Sequence, residues 1–294
     1  TTARYIAEVQ KQNNWPVLIS GSAGKNATKY IIETATILGG SWLFGAAIQS
    51  SDKDVLKNIK RNNISLDTYQ ELLKMGNNLM NGLTYTEVIL GLPGDTKKKH
   101  FESLRYGIEN QASSIRMYQA MLLSGTDMAK QETRVNFGLL TKFRIIPGCM
   151  GVYKFGDENT PIAEIEEIIV GSKYMTFEDY VSCRVMNLII ETYINNALFE
   201  EIFSALGAMD ISTFDCLVYL HEHDELYTSK MKEIFKNFIS STKDDLYDSY
   251  EEAEKYVFRP EIMKKYVAGE LGINELLVYK AELYLELEDI SAVL

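Results

Sequence analysis

Residues 86–96, TEVILGLPGDT, constrain the fold of this chain more than any other stretch. Val88, Ile89, Leu90 and Leu92 form a compact apolar run that breaks at Gly91, Pro93 and Gly94, the pattern of a buried strand entering a sharp turn. Asp95 or Thr96 can accept hydrogen bonds from free backbone N–H groups, and residues 97–110 carry apolar side chains at Phe101, Leu104 and Ile108, so a helix comes next. In parallel α/β architectures such a unit puts its loop at the carboxyl end of a strand, where binding and catalytic groups collect. Glu87 is a lone charge inside the strand. With period two it shares a face with Ile89 and Gly91, and it is either buried and in need of a partner or a strand-end carboxylate that reaches solvent.

Similar units flank this one. Residues 3–12 read as a helix and PVLIS at 16–20 as a short buried strand. GSAGK at 21–25 lacks the spacing of a phosphate loop, because Ile19 and Asn26 stand where a Gly and a Ser or Thr are needed. A glycine loop and helix start facing an anion is the weaker expectation that remains. A helix over 26–38 ends at Gly39 and Gly40, and the strand over 41–49 contains Gly45, Ala46 and Ala47, small enough for close approach of backbone or ligand. Ser51 or Asp52 caps a helix through Val55, Leu56 and Ile59, and Ser65 caps another that runs to about Met75. SIRMYQAML at 114–122 is the next strand. Three strand and helix repeats in one direction make a parallel sheet with right-handed crossovers.

After Pro147 the pattern changes. A strand over 162–172 precedes an almost wholly helical stretch, opened by Thr176 and Asp179 at capping-box spacing, with helices over 199–206, 213–221, 227–239, 243–256 and 274–287. The expected division is residues 1–148 and 149–294. A formal charge of −11 argues against an extended nucleic-acid surface, and Lys97, Lys98 and Lys99 are too few to reverse it. No apolar run reaches the roughly 18 residues of a membrane span. Cys149, Cys183 and Cys216 form no CxxC pair and read as buried or free thiols of a reducing cytoplasm. His221 and His223 face apart on a helix, so no metal site is expected there.

Taken together, GAAIQS, LKNIKRNNIS, EVILGLPGDT with HFESL, and IRMYQAMLLSGT resemble, in order and spacing, the second half of the radical S-adenosylmethionine barrel. The resemblance covers about residues 16–133 and is nearest the class often joined to a cobalamin-binding domain. It implies an α/β fold, a partial (β/α)6 TIM-type barrel of which these segments are the third to sixth strands, followed by a mainly helical accessory region. Such enzymes hold a [4Fe-4S] cluster on a CxxxCxxC loop and cleave S-adenosylmethionine reductively to a 5′-deoxyadenosyl radical for hydrogen abstraction or methyl transfer. This sequence has neither that loop nor the glycine-rich segment that holds the cofactor's amino group. The expectation is a carboxyl-terminal piece of a longer enzyme, inactive alone, whose activity would also call on cobalamin and on an electron donor such as flavodoxin or ferredoxin.

The resemblance also assigns residues. Gln49 and Ser50 match positions that contact the cofactor's ribose and carboxylate, and Ile89 and Gly91 match the motif that receives adenine. Glu87 matches an interior acid that holds substrate or cofactor, and Tyr118 and Gln119 lie near the adenine backbone contacts. In the strictest form of the fifth-strand motif a Glu stands where this chain has Gly94. Arg61 matches a recurrent basic residue, which could equally fix a helix C-terminus. A half barrel exposes sheet edges, so self-association or coverage by the later helices is expected. The alternative reading is a non-catalytic binding or interaction module on a degenerate barrel.

Overall fold

The computed structural model describes residues 2–21, 28–43, 45, 47–79 and 84–294. The glycine loop over 22–27, with Gly24 and Lys25, and Ala46 of the second strand lie outside the described residues. The chain is mixed α/β, about half of it helical, with small sheets. In order the elements are α1 (Thr2–Asn13), β1 (Ile19–Ser20), α2 (Thr28–Leu38), β2 (Trp42–Leu43), α3 (Lys53–Asn58), α4 (Leu66–Leu79), β3 (Tyr85–Leu90), α5 (Lys97–Glu109) and β4 (Ser114–Gln119). Next come α6 (Gln131–Phe137), β5 (Leu140–Phe155), β6 (Glu158–Gly171), α7 (Phe177–Tyr193), α8 (Glu200–Ala208) and α9 (Thr213–Glu222). The last are α10 (Ser229–Asp244), α11 (Tyr250–Val257), α12 (Pro260–Val267), α13 (Glu275–Leu285) and α14 (Leu287–Ala292). Two compact units result, one of Thr1–Ile89, Lys98–Tyr118 and Tyr193–Cys216, the other of Leu90–Lys97, Gln119–Thr192 and Leu217–Leu294.

In the first unit β1 pairs parallel with β2, and the segment after β2 pairs parallel with β3 through Gly45 opposite Tyr85 and Gln49 opposite Val88. β3 pairs in turn with β4. Among the described residues, the strand expected over 41–49 is thus a two-residue strand and two isolated bridges. Asp52, not Ser51, caps α3: its carboxylate accepts from the N–H groups of Asp54 and Val55 at 3.0 and 2.9 Å. Helix α5 buries Phe101, Ser103, Leu104, Gly107 and Ile108. Gly107 is what lets it lie close, since a Cβ there would stand 2.7 Å from Ile115 and 2.8 Å from Thr86. On α4, Tyr69, Leu72 and Leu73 are buried, and the Tyr69 ring packs 5.1 Å from that of Tyr106. The backbone of Ile115 in β4 is also taken up by a side chain: Asn195 donates to its carbonyl at 3.0 Å and accepts from its N–H at 2.8 Å.

In the second unit the chain leaving β4 continues to pair. Ala120 donates to the Leu90 carbonyl, Ile169 donates to the Ala120 carbonyl, and Met121 bridges antiparallel to Ile168. β5 and β6 form a long antiparallel hairpin whose register shifts between Ile145 and Met150. That shift accommodates Pro147 and Gly148, at the point where the sequence pattern changes. Of the hairpin the sequence pattern announces only β6; β5, like α6 and α12, emerges from the structure. The helix expected over 243–256 starts instead at Tyr250, because Tyr247 forms a β-bridge with Phe143 and Ser249 caps α11. Helix α7 begins with the predicted capping box, Thr176 accepting from the Asp179 N–H and Asp179 from the Thr176 N–H, each at 3.0 Å. It buries Tyr180, Cys183, Met186, Leu188, Ile189 and Ile190. Among the described residues no single helix is long and apolar enough to cross a membrane.

Candidate functional site

The site residues begin where the chain leaves its ladder with β3. The Gln49 N–H donates to the Glu87 carbonyl at 2.8 Å and the Gln49 carbonyl accepts from the Ile89 N–H at 2.9 Å. Held by both bonds, Gln49 adopts φ +59°, a left-handed conformation uncommon outside glycine. The turn swings Ser50 inward. Ser50 is buried, its hydroxyl 3.3 Å from that of Ser103 and accepting from the Asp52 N–H, while its carbonyl accepts from the Asn63 side chain at 2.7 Å. Ser103 also accepts from the Ser51 N–H and donates to the Lys99 carbonyl, so this serine cluster ties the strand-end loop to α5. Lys99 closes the loop from outside with an ion pair to Asp52 at 3.1 Å. The lysine run thus has a structural member as well as its exposed one, Lys98. Arg61, by contrast, is exposed.

Strands β3 and β4 divide their side chains by face. Thr86, Val88 and Leu90 are fully buried, whereas Glu87 and Ile89, which alternate with them, are half-buried. On β4, Ile115 is buried, Arg116 half-buried and Tyr118 exposed. The less covered face carries Tyr85, Glu87, Ile89, Arg116 and Tyr118. Tyr85 is itself buried: its ring fills the space beside Gly45, where a Cβ would stand 2.3 Å from the ring. The Arg116 guanidinium lies 3.6 Å from the centre of the same ring. Burial pushes the Tyr85 phenol above its ordinary value against the pull of Arg116, with Glu87 and Tyr118 adding to the rise. Arg116, Glu87 and Tyr118 therefore all bear on the Tyr85 phenol.

Gly91 and Gln119 belong to the second unit. Gly91 has φ +84°, and a Cβ there would stand 3.0 Å from the Ile169 carbonyl oxygen. The close approach this glycine visibly permits is thus to β6. Gln119 is buried, and its Oε1 has no donor among the described residues. Buried acceptors are nearly always satisfied, so such an atom marks a place where a hydrogen bond remains to be made.

Of the residues anticipated from sequence, Gln49, Glu87 and Ile89 are brought together by one ladder, and Ser50 is beside them but buried in the serine cluster. Tyr85, Arg116 and the function of Gly45 as a socket for Tyr85 were missed. Arg116 carries the same signature that singles out Glu87, a lone charge inside an apolar strand. Among the described residues no three His, Cys, Asp or Glu converge in a way that could hold a metal ion. His221 and His223 are used internally, the first 3.0 Å from the Ser182 carbonyl and the second 2.9 Å from that of Tyr219.

No family model matches this chain. It is similar to two methyltransferases. One is the 2-(S-pantetheinyl)-carbapenam-3-carboxylate methyltransferase of Streptantibioticus cattleyicolor, 28% identical over 188 residues, which are 62% of this chain and 26% of the relative. The other is TokK, a cobalamin-dependent radical SAM methyltransferase of Streptomyces tokunonensis, 28% identical over 186 residues, 61% of this chain and 26% of that protein. The chain therefore spans about a quarter of the length of the curated relatives it matches. These similarities support, in general terms, a relation to S-adenosylmethionine-dependent methyl transfer and to the cobalamin-associated radical class.

Proposed function

We propose that this chain supplies the later strands of a partial (β/α) barrel in a radical S-adenosylmethionine methyltransferase, and that the less covered face of β3 and β4 binds cofactor or substrate. One observation carries the reading: that face holds Glu87, Arg116 and Tyr118 around the Tyr85 ring, while the opposite face is packed with Thr86, Val88, Leu90 and Ile115. A sheet with one face fully packed and the other lined by polar and aromatic groups is the arrangement of a barrel wall whose interior receives a ligand. The parallel order of β1, β2 and β3 and the similarity to TokK agree with it.

The residues fit S-adenosylmethionine in kind. Ile89 offers an apolar surface and Tyr118 an exposed ring for a base, and Glu87 can accept a hydrogen bond from a ribose or substrate hydroxyl. When bound, the cofactor supplies the methyl group or, on reduction, the hydrogen-abstracting species. The described residues offer no ligand set for a [4Fe-4S] cluster. Cobalamin is proposed only on the similarity to TokK. The roles of Gly91 and Gln119 toward the cofactor, and the buried serine cluster at Ser50, remain part of the proposal.

The test is made on the full-length natural polypeptide after anaerobic iron and sulfide reconstitution, measuring S-adenosylmethionine binding and dithionite-dependent release of 5′-deoxyadenosine. Glu87→Gln, which preserves shape and removes the charge, should lower turnover at least about tenfold, the usual cost of one hydrogen bond to a charged group. A polypeptide that binds neither cluster nor S-adenosylmethionine would leave the face as part of a binding module.

A further inference from the structure

We infer that Arg116, shelved on the ring of Tyr85, anchors a carboxylate of the small-molecule substrate; this deepens the proposed function and rests on its reading of the β3 and β4 face. Among the described residues, every other arginine that is buried or half-buried already holds a carboxylate. Arg105 pairs with Asp215 at 2.6 Å, Arg134 with Glu167, Arg144 with Glu166 and Arg184 with Glu275. Arg116 is half-buried and, among the described residues, makes no ion pair and no hydrogen bond from its side chain. In a chain with 41 acidic residues against 30 basic ones, a sheltered guanidinium without an acid of its own is the exception.

The stack explains what the group is poised to do. A guanidinium lying over an aromatic ring uses its π face and leaves its in-plane N–H fork undirected by the protein. That fork matches the two oxygens of a carboxylate, and the stack fixes its plane in advance. Gly45 makes the shelf possible, since any side chain there would displace the Tyr85 ring. Glu87 and Tyr118 bear on the same phenol, adding one negative and one neutral hydrogen-bonding group to this face. The negative neighbour disfavours a phosphate dianion and favours a monoanion that carries a hydroxyl or ammonium group within reach of Glu87. The shared chemistry is a carboxylate, which could come from the substrate or from the aminoacyl end of S-adenosylmethionine, and the experiment separates the two.

The full-length natural polypeptide is treated with phenylglyoxal at constant ionic strength, and the modified arginines are mapped by peptide mass spectrometry. The probes are benzoate, succinate, inorganic phosphate, benzamide and S-adenosylmethionine. Arg116 should react ahead of Arg105, Arg134, Arg144 and Arg184, and saturating benzoate or succinate should slow its modification at least about tenfold while benzamide does not. Equal rates with and without both carboxylates, or stronger protection by phosphate, would overturn the inference. Protection by S-adenosylmethionine that carboxylates compete away would give the anchor to the cofactor, overturning the substrate assignment and sparing the proposed function. Carboxylate protection in a protein that binds no S-adenosylmethionine would support the anchor and end the cofactor reading. Arg116→Lys keeps the charge and loses the fork. With an unchanged urea midpoint to establish folding, it should weaken carboxylate binding in calorimetry by about tenfold and leave S-adenosylmethionine affinity as it was.

Discussion

Two glycines with nearly the same backbone conformation separate strain from contact. Gly91 has φ +84° and Gly125 φ +82°, but a Cβ at Gly91 would stand 3.0 Å from the Ile169 carbonyl oxygen, whereas at Gly125 it would meet nothing within 4 Å. Replacing either by Ala forces a side chain into a region it rarely adopts, which costs about 1 kcal/mol or somewhat more. Gly91→Ala must also displace a backbone oxygen of β6, so its total should be about 2–3 kcal/mol. Urea midpoints of the two variants measure the difference, and equal losses would show that the approach to Ile169 is soft. The TEVILGLPGDT stretch announces the turn at Gly91 because an apolar run ends in breakers. The partner against which it turns lies 78 positions away and leaves no local mark. Glu87 and Arg116 show the same limit: a lone charge in a strand is visible, and the ring it shares with another strand is not.

At the scale of elements, α13 is fastened along α7 by three polar contacts. Glu275 pairs with Arg184, Lys280 with Glu191 at 2.7 Å, and the Tyr284 hydroxyl donates to the Thr192 carbonyl at 2.8 Å. Arg184 is 3% exposed, so removing its acid leaves a buried cation without a counter-ion. Glu275→Leu should therefore cost about 3–5 kcal/mol, while Arg184→Met and Glu275→Leu together should be close to neutral. The four corners of that cycle, read by urea denaturation, give the coupling; a loss under about 1 kcal/mol in the single variant would mean solvent reaches the arginine. Both helices are legible in the sequence from their apolar spacing, and α7 also from its capping box. Their pairing is not, because charges at 184 and 275 resemble the solvated charges of any helix surface. The β5 strand is illegible for the opposite reason, since Pro147, Gly148 and Gly151 present the signals of a loop and the antiparallel partner overrides them.

The whole molecule carries a pH window in its titratable groups. Asp52 and Asp215 in the first unit and Glu167 and Glu275 in the second all lie below the usual carboxylate value. For Asp52 and Glu275 burial works the other way, and the Val55 N–H with Lys99, or the charges of Arg184 and Arg144, outweigh it. For Glu167 and Asp215 the hydrogen bonds from Arg134 and Arg105 lead. A carboxyl whose folded value is depressed contributes stability above its unfolded value, and that contribution is lost as pH falls through the folded one. The acid limit should thus begin near pH 4 and deepen below it. On the alkaline side burial pushes the phenols of Tyr69 and Tyr266 up to about 12, and raises those of Tyr180, Tyr227 and Tyr247 as well. These phenols hold their protons when folded, so above about pH 10 the unfolded chain ionises first and stability falls with rising pH. The urea midpoint should accordingly decline below about pH 4 and above about pH 10, with a plateau between them on which two further groups act in opposite senses. The Asp245 carboxyl, raised by desolvation to about 6, costs stability as pH rises through that value, and His221, lowered by burial, costs stability as pH falls below the ordinary imidazole value. Asp52→Asn with Glu167→Gln should lower the plateau and flatten the acid limb. Absorbance at about 295 nm tests the other limb: the buried phenols should ionise together with unfolding. Full titration of all tyrosines near pH 10, with the fold retained, would show that these phenols are open to solvent and remove the alkaline half of the window.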